Sequence, residues 1–284
     1  MSRTVYVNGE FVGETEAKIS VFDRGFLFAD GVYEVSSVLG GKLVDNQAHL
    51  QRLKRSCREL ALPMPCGPEE VEAIQRELIR RNKIDEGTVY LQVTRGAADR
   101  DFKFPVNTNP GLVMFTQARG LIDDPLAKSG VRVITVPDIR WKRRDIKTVS
   151  LLAASLAKQQ AVDAGAHDAW FVEENLVTEG SSNNAYIVDP DGKIITRHLG
   201  NEILHGITRA AVLELSRREH IEVQERPFSV AEAQSATEAF ITSASTFVYP
   251  VVCIDDQDIN GGKPGPVATR LRALYIDMAL KAAT

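Results

Sequence analysis

Apolar and polar positions alternate with a period of two in some stretches of this chain and with a period near 3.6 in others, and the changes of period outline the fold. Val5-Tyr6-Val7 and Glu10-Phe11-Val12 flank Asn8-Gly9, a pair that accepts positive φ at both turn positions, so Thr4 to Gly13 predicts a hairpin. Val32-Tyr33-Glu34-Val35 alternates like a strand, and a second hairpin turn is predicted at Gly40-Gly41. Asp45 stands where it would N-cap a helix carrying His49, Arg52, Leu53 and Leu60, which Pro63 ends. Pro68 opens another helix, with Val71, Ile74, Leu78 and Ile79 about one turn apart. Val89 to Gly96 and Gly111 to Gln117 predict strands, and a further strand begins at Val131. Leu151 to Ala164 is an apolar helical run, followed by a strand from His167 to Glu173. Gly206-Ile207-Thr208 opens a helix whose apolar positions Ala211, Leu213 and Leu215 give way to Arg217 and Arg218. Ala239 to Ser243 and Val248 to Ile254 predict strands, and an amphipathic helix runs from about Pro266 to Ala282.

Strands dominate the first part and alternate with helices later, which predicts two α/β domains with mixed sheets. The expected boundaries are a smaller domain over 1–118, a linker over 119–124 marked by Gly120 and charge, and a larger domain over 125–284. With 284 residues, 44% of them hydrophobic, the chain can bury a substantial core. A net charge of -4 offers no broad basic face, which argues against a nucleic-acid partner. No stretch is long and apolar enough to span a bilayer, and Met1-Ser2-Arg3-Thr4 lacks the apolar core of a signal segment. Cys57, Cys66 and Cys253 are an odd set without metal-ligand spacing and are expected to be reduced thiols of a cytoplasmic protein. His49, His167, His198, His205 and His220 are too scattered to form a metal site.

The candidate chemistry sits mostly in the second half. Asp145-Ile146-Lys147-Thr148 places one lysine on a short segment just before the apolar helix. Lysines held among apolar neighbours are candidates for Schiff-base chemistry, although a solvated surface lysine is the commoner case. Glu179 follows in Thr178-Glu179-Gly180-Ser181-Ser182-Asn183, which reads as a turn in which the serines and Asn183 support the loop. The helix start at Ile207 and Thr208 offers backbone N–H groups, a hydroxyl and a positive dipole end to an anion. Thr242-Ser243-Ala244-Ser245 is a second small polar loop, and Lys142-Arg143-Arg144 reads as a solvated basic run.

Asp-Ile-Lys-Thr followed by Thr-Glu-Gly-Ser-Ser-Asn resembles the signature of the fold-type IV pyridoxal-phosphate enzymes, and within them is most similar to the D-amino-acid transaminases. That group also includes branched-chain aminotransferases, (R)-selective amine transaminases and aminodeoxychorismate lyase. The resemblance extends from Val5-Tyr6-Val7-Asn8-Gly9 to the last helix. It implies a two-domain α/β fold with pyridoxal 5′-phosphate in the interdomain cleft. Lys147 would attach the cofactor and shuttle a proton, and Glu179 would partner its ring nitrogen. The phosphate would be held by Ile207, Thr208 and Arg52, with Ser243 and Ser245 in a loop touching phosphate and substrate and Leu204 also at the cofactor. Ala244 occupies a position that is threonine in some relatives. Tyr33 would reach the substrate pocket, and Arg100 would supply the arginine of a carboxylate trap. The best-known members have a histidine two residues after that arginine, where this chain has Phe102, an apolar wall in place of a polar partner.

The implied reaction transfers an amino group from a D-amino acid to a 2-oxo acid, with D-alanine and 2-oxoglutarate the first pair. Alternatives are an (R)-amine or branched-chain L-amino-acid transaminase, or a lyase of the aminodeoxychorismate type. The resemblance also implies a homodimer with residues of both subunits near each site.

Overall fold

Asn8 and Gly9 take φ of 47° and 107°, and Gly40 and Gly41 take 57° and 70°, in the computed structural model, which describes residues 3–284. Both predicted hairpins therefore close through turns that only residues tolerant of positive φ accept. The chain divides into two units, the first running to Gly120 and the second resuming at Leu121, within the expected 119–124 linker.

The first unit contains β1 (Thr4–Val7), β2 (Glu10–Gly13), α1 (Arg24–Phe28), β3 (Gly31–Leu39), β4 (Lys42–Leu43), α2 (Asn46–Glu59), α3 (Pro68–Asn82), β5 (Gly87–Thr94) and β6 (Gly111–Ala118). Among the described residues its strands form a six-stranded sheet in the order β2-β1-β6-β5-β3-β4, with antiparallel pairing throughout. Leu50, Leu53 and Cys57 of α2 and Val71, Ile74 and Leu78 of α3 pack on Val32, Leu91, Val93 and Met114 of the sheet. Strand side chains alternate between faces, so Tyr33 points away from those helices. There its ring stacks on Tyr90 (centroids 5.6 Å apart), and Tyr90 stacks on Phe115 at 4.7 Å.

The second unit contains α4 (Pro125–Ser129), β7 (Val131–Pro137), α5 (Leu152–Asp163), β8 (Asp168–Glu173), β9 (Leu176–Gly180), β10 (Asn184–Val188), β11 (Ile194–Thr196), α6 (Ile207–Arg218), β12 (Val223–Glu225), α7 (Val230–Gln234), β13 (Glu238–Ser243), β14 (Phe247–Ile254), β15 (Gln257–Asp258) and most of α8 (Pro266–Ala282). Its nine-stranded sheet, counted among the described residues, runs β12-β11-β10-β13-β14-β7-β8-β9, with β15 beside β14. The pairs β7–β8, β14–β7 and β11–β12 are parallel and the others antiparallel, the mixed sheet that the sequence predicts. Parallel neighbours need a crossover, and α5 provides the one between β7 and β8, burying Ala157 and Ala161 against Val136, Ala169 and Phe171. Among the described residues no helix is long and apolar enough to cross a membrane.

Several elements differ from the pattern reading. Two later segments, Ile146–Ser150 and Ala279–Thr284, belong to the first unit rather than to a continuous 125–284 domain. Ile146, 3% exposed, enters the helix–sheet core of that unit. Tyr33 N donates to Lys147 O at 3.0 Å and Val149 N to Gly31 O at 3.1 Å, so the lysine segment pairs with β3. Leu43 and Thr284 exchange backbone hydrogen bonds of 2.9 and 3.0 Å, which ties the end of the chain to β4. Asp45 stands at the N-cap of α2 with φ 52°, and its side chain makes no capping hydrogen bond. Arg24–Phe28, which no periodic run marks, forms the short helix α1, because the Asp23 carboxylate accepts from Gly25 N and Ala29 closes the turn in the left-handed region. Glu179 lies on β9, one residue before the strand ends, and not in the turn that follows. Arg144 is 5% exposed, not solvated, because Glu173 and Asp138 receive its charge.

Replacing Ile146 with Ala should destabilise the protein by about 2–5 kcal/mol, the usual range for truncating a fully buried isoleucine. Chemical denaturation measures this; a loss under about 0.5 kcal/mol, the size of a surface change, would show that the lysine segment is not packed into the first unit's core.

Candidate active site

In the first unit the site residues are arranged on the two faces of β3. Lys147 is half-buried, and its ammonium lies 4.1 Å from the centroid of the Tyr33 ring. A cation over an aromatic face is stabilised by the ring quadrupole, so the ring fixes where the ammonium stands. Tyr90, stacked on Tyr33, donates from its hydroxyl to Gln92 Oε1 at 2.7 Å, and Gln92 is the β5 partner opposite Tyr33. Burial, with the neighbouring Tyr33, pushes the Tyr90 phenol up, so it is a neutral hydrogen-bonding group at ordinary pH.

On the opposite face Glu34 is fully buried. Arg52 Nε donates to its Oε1 and Nη2 to its Oε2, each at 2.7 Å, and His49 Nδ1 lies 2.8 Å from Oε2. Burial alone would raise the Glu34 carboxyl; the Arg52 charge and its hydrogen bonds, joined by His49, outweigh it and hold the group down to about 2. Arg52 and His49 lie one helical turn apart on α2, which is why both reach the same carboxylate. The sequence reading missed Glu34, although the signal was present: a charge at the position of β3 that shares its face with Val32.

The second unit holds Glu179, 4% exposed. Arg140 Nη1 donates to Glu179 Oε1 at 2.6 Å, while Asn184 Nδ2 and Leu204 N donate to Oε2 at 3.1 and 2.9 Å. Burial raises this carboxyl above its ordinary value, and Arg140 only partly offsets it, with help from the Leu204 amide. Asp138 steadies Arg140 through Nε and Nη2 at 3.0 and 2.8 Å, and accepts also from Thr178 Oγ1 at 2.8 Å. The Arg140 guanidinium lies 4.1 Å from the centroid of Phe171. Arg140, Asp138 and Asn184 carry no motif of their own, so the sequence reading did not single them out. The turn after Glu179 is anchored by Asp168, which accepts from Ser181 Oγ at 2.5 Å and Asn183 Nδ2 at 2.8 Å.

Ile207 and Thr208 form the first turn of α6, whose N-cap Gly206 supplies no side chain to cap it. A Cβ at Gly206 would collide with the side-chain oxygen of Asn184, so glycine is required there. The N–H groups of the helix start and the buried Thr208 hydroxyl are donors suited to an anion. Between β13 and β14, Ser243 Oγ lies 3.3 Å from Ser245 Oγ and 2.8 Å from Thr246 Oγ1, a cluster of hydroxyls at a strand end. Taken by itself, each unit offers groups of the kind a phosphorylated pyridine cofactor needs: the first a lysine against an aromatic face, the second a buried carboxylate and an uncapped helix start. Among the described residues no group of three or more His, Cys, Asp or Glu is placed to hold a metal ion.

Arg100 and Phe102 lie on the loop between β5 and β6, against α1 rather than against Tyr33. The Arg100 guanidinium stands 5.5 Å from the Phe28 centroid and 5.7 Å from that of Phe102, and Phe102 is 80% exposed. This loop joins the ends of two interior strands, and Arg24 of α1 donates to its carbonyls at Gly96, Asp101 and Lys103.

The chain is an aminotransferase: it belongs to the amino-transferase class IV family, whose model matches residues 31–254. It is 40% identical to the D-alanine aminotransferase of Staphylococcus aureus (strain N315) over 269 residues, 94% of this chain and 95% of that protein. It is 36% identical to the D-alanine aminotransferase of Bacillus licheniformis, covering 94% of each. A branched-chain amino acid aminotransferase of T.th., solved with pyridoxamine 5′-phosphate, has the same mixed α/β fold, with a TM-score of 0.90 at 28% identity over 98% of this chain and 94% of that one.

The Glu34 cluster makes a pH prediction. Glu34 titrates near 2 in the folded protein and at about 4.5 when free, so its ion pairing stabilises the fold above that upper value and the stability is lost as pH falls toward the lower. Glu34→Gln should destabilise by about 3–5 kcal/mol at neutral pH, the usual effect of leaving a buried cation such as Arg52 without its carboxylate, and should flatten the stability curve in that acid window. Urea denaturation across pH tests this; an acid slope equal to the parent's would show that Glu34 is not held ionised.

Proposed function

We propose that this chain is a pyridoxal 5′-phosphate-dependent transaminase that moves an amino group from a D-amino acid to a 2-oxo acid, with D-alanine and 2-oxoglutarate as the first pair to try. The observation that carries the reading is the 40% identity to a D-alanine aminotransferase over 94% of this chain. The Lys147, Glu179 and α6 geometry supports it. A branched-chain L-amino-acid transaminase is the second reading, favoured by the 0.90 TM-score to an enzyme of that name.

When bound, pyridoxal 5′-phosphate supplies an electron sink for negative charge at the substrate Cα. Lys147 would attach it through Nζ and, once released by substrate, would take the Cα proton as base and deliver it as acid to the cofactor C4′ carbon. Glu179, kept beside Arg140, would hold a proton on the ring nitrogen, because a buried carboxylate favours a cation next to it. Ile207 and Thr208 would bind the phosphate through the α6 start, with Ser243 and Ser245 adding hydroxyls. Arg52 would add charge to the phosphate while its Nε and Nη2 remain on Glu34. Leu204 would act through its backbone, whose N–H already holds Glu179. Tyr33 would line the substrate pocket and Arg100 would meet the substrate carboxylate, Phe102 beside it lending only an apolar surface.

A second copy of the chain would complete the working protein. Large apolar side chains exposed in the first unit, among them Val21 (67%), Phe26 (68%) and Val106 (85%), support a homodimer. The free thiols of Cys57, Cys66 and Cys253 support a place in the cytoplasm.

Purified protein with added cofactor should be yellow, and borohydride should fix the label on the Lys147 peptide; label on another lysine, read by mass spectrometry, would sink the assignment. Glu179→Gln should retain the cofactor but slow the half-reaction by orders of magnitude. A half-reaction unchanged in stopped flow would remove Glu179 from the mechanism. Screening D- and L-amino acids with chiral product analysis decides between the two readings: turnover of branched-chain L-amino acids alone would overturn the first.

A further inference from the structure

The segment from Phe22 to Arg24 holds the backbone of the loop that carries Arg100. Arg24 N donates to Gly96 O at 2.9 Å and Ala98 N to Phe22 O at 3.2 Å, while Asp23 and Ala97 form an isolated bridge. Asp23 Oδ2 accepts from Thr94 Oγ1 at 2.9 Å, fixing the strand end from which the loop departs. Farther along, Arg24 Nη1 donates to Asp101 O at 2.6 Å and Lys103 O at 3.4 Å, the carbonyls on either side of Phe102.

Arg24 is itself held. It is 3% exposed, its Nε donates to Asp30 Oδ2 at 2.8 Å, and its guanidinium lies 4.5 Å from the Phe28 centroid. Asp30 accepts also from Arg95 Nε and Nη2 at 2.7 and 3.0 Å, and Arg95 Nη1 and Nη2 reach Ala61 O and Leu60 O just beyond α2. One planar guanidinium thereby serves a carboxylate on one edge and two loop carbonyls on another, a division that a lysine ammonium cannot reproduce.

We propose that Arg24 is the positioning residue for the substrate-carboxylate contact: by fixing the backbone on both sides of Phe102 it sets where Arg100 stands. The proposal rests on the role given to Arg100 above. The Arg24 guanidinium takes no part in the chemistry. It orders the loop during folding, so that entropy is already lost before substrate binds. An interaction made equally in ground and transition states appears in KM more than in kcat, and loss of Arg24 should show that split.

The test is a double-mutant cycle in the cofactor-loaded enzyme with D-alanine, using the parent, Arg24→Gln, Arg100→Ala and the double variant. Arg24→Gln should raise KM for D-alanine by about tenfold or more while kcat stays within about threefold. In the Arg100→Ala background the same change should raise KM by no more than about twofold, since residues acting as one unit are not additive. Hydrogen exchange should quicken at amides 97–104 in Arg24→Gln. An equal KM rise in both backgrounds, or none in the parent, overturns the proposal. If Arg100→Ala alone leaves KM unchanged, the reading of Arg100 is wrong and the proposal falls with it; if Arg100→Ala raises KM and Arg24→Gln does not, only the proposal falls. Should Arg24→Gln fail to fold, Arg24→Lys keeps the Asp30 pair and should give a smaller KM rise of the same kind, whose absence refutes the proposal.

Discussion

The buried cluster of Glu34, Arg52 and His49 is the constraint on which the arrangement around β3 in the first unit depends. A carboxylate with no solvent exposure stays ionised when a cation compensates it, and here Arg52 bonds both oxygens while His49 Nδ1, from the same helix, lies 2.8 Å from one of them. Satisfying Glu34 fixes α2 against β3 in register and rotation. The pleat then leaves Tyr33 on the opposite face with no freedom to turn inward. The Lys147 segment pairs with the same strand through Tyr33 N, so the ammonium and the ring are set together.

The second unit repeats the device with a different balance. Glu179 is nearly as deeply buried as Glu34 and meets one arginine, yet its pKa is raised where that of Glu34 is lowered to about 2. The difference lies in the partners. Glu34 has Arg52 on both oxygens and His49 besides. Arg140 gives Glu179 one N–H and directs two at Asp138, and the other Glu179 oxygen meets a neutral amide side chain and a backbone N–H. The first carboxylate is fully compensated and serves the fold. The second is under-compensated, and the approach of a cation would stabilise it further. That is the property wanted next to a protonated ring nitrogen.

Much of the fold was legible in the chain. Asn8-Gly9 and Gly40-Gly41 placed two hairpins because their positive φ values leave few other structures, and the periodic runs at Val71 to Ile79 and Leu151 to Ala164 placed helices. The short helix at Arg24–Phe28 was not legible, since five residues show no period and its start depends on one carboxylate bonding one N–H. Lys147, Glu179, Ile207 and Thr208 stand within distinctive strings, so they could be put forward as candidates in advance. Arg140 and Arg24 were not, because the groups they hold, the Glu179 carboxylate and the carbonyls of Asp101 and Lys103, are distant in sequence.

By itself the sequence determined the local structure: turn chemistry, helix and strand periods and the mixed α/β class. Those properties depend on neighbours within a few positions, which any reading of the chain can see. Only the tertiary structure decided that Ile146–Ser150 leaves its sequence neighbours to join β3, that Arg144 is buried, and that one of two buried carboxylates is held well below the ordinary range while the other is raised above it. These outcomes turn on desolvation and on which charges come within hydrogen-bond reach, and both are set by residues that meet only once the chain has folded.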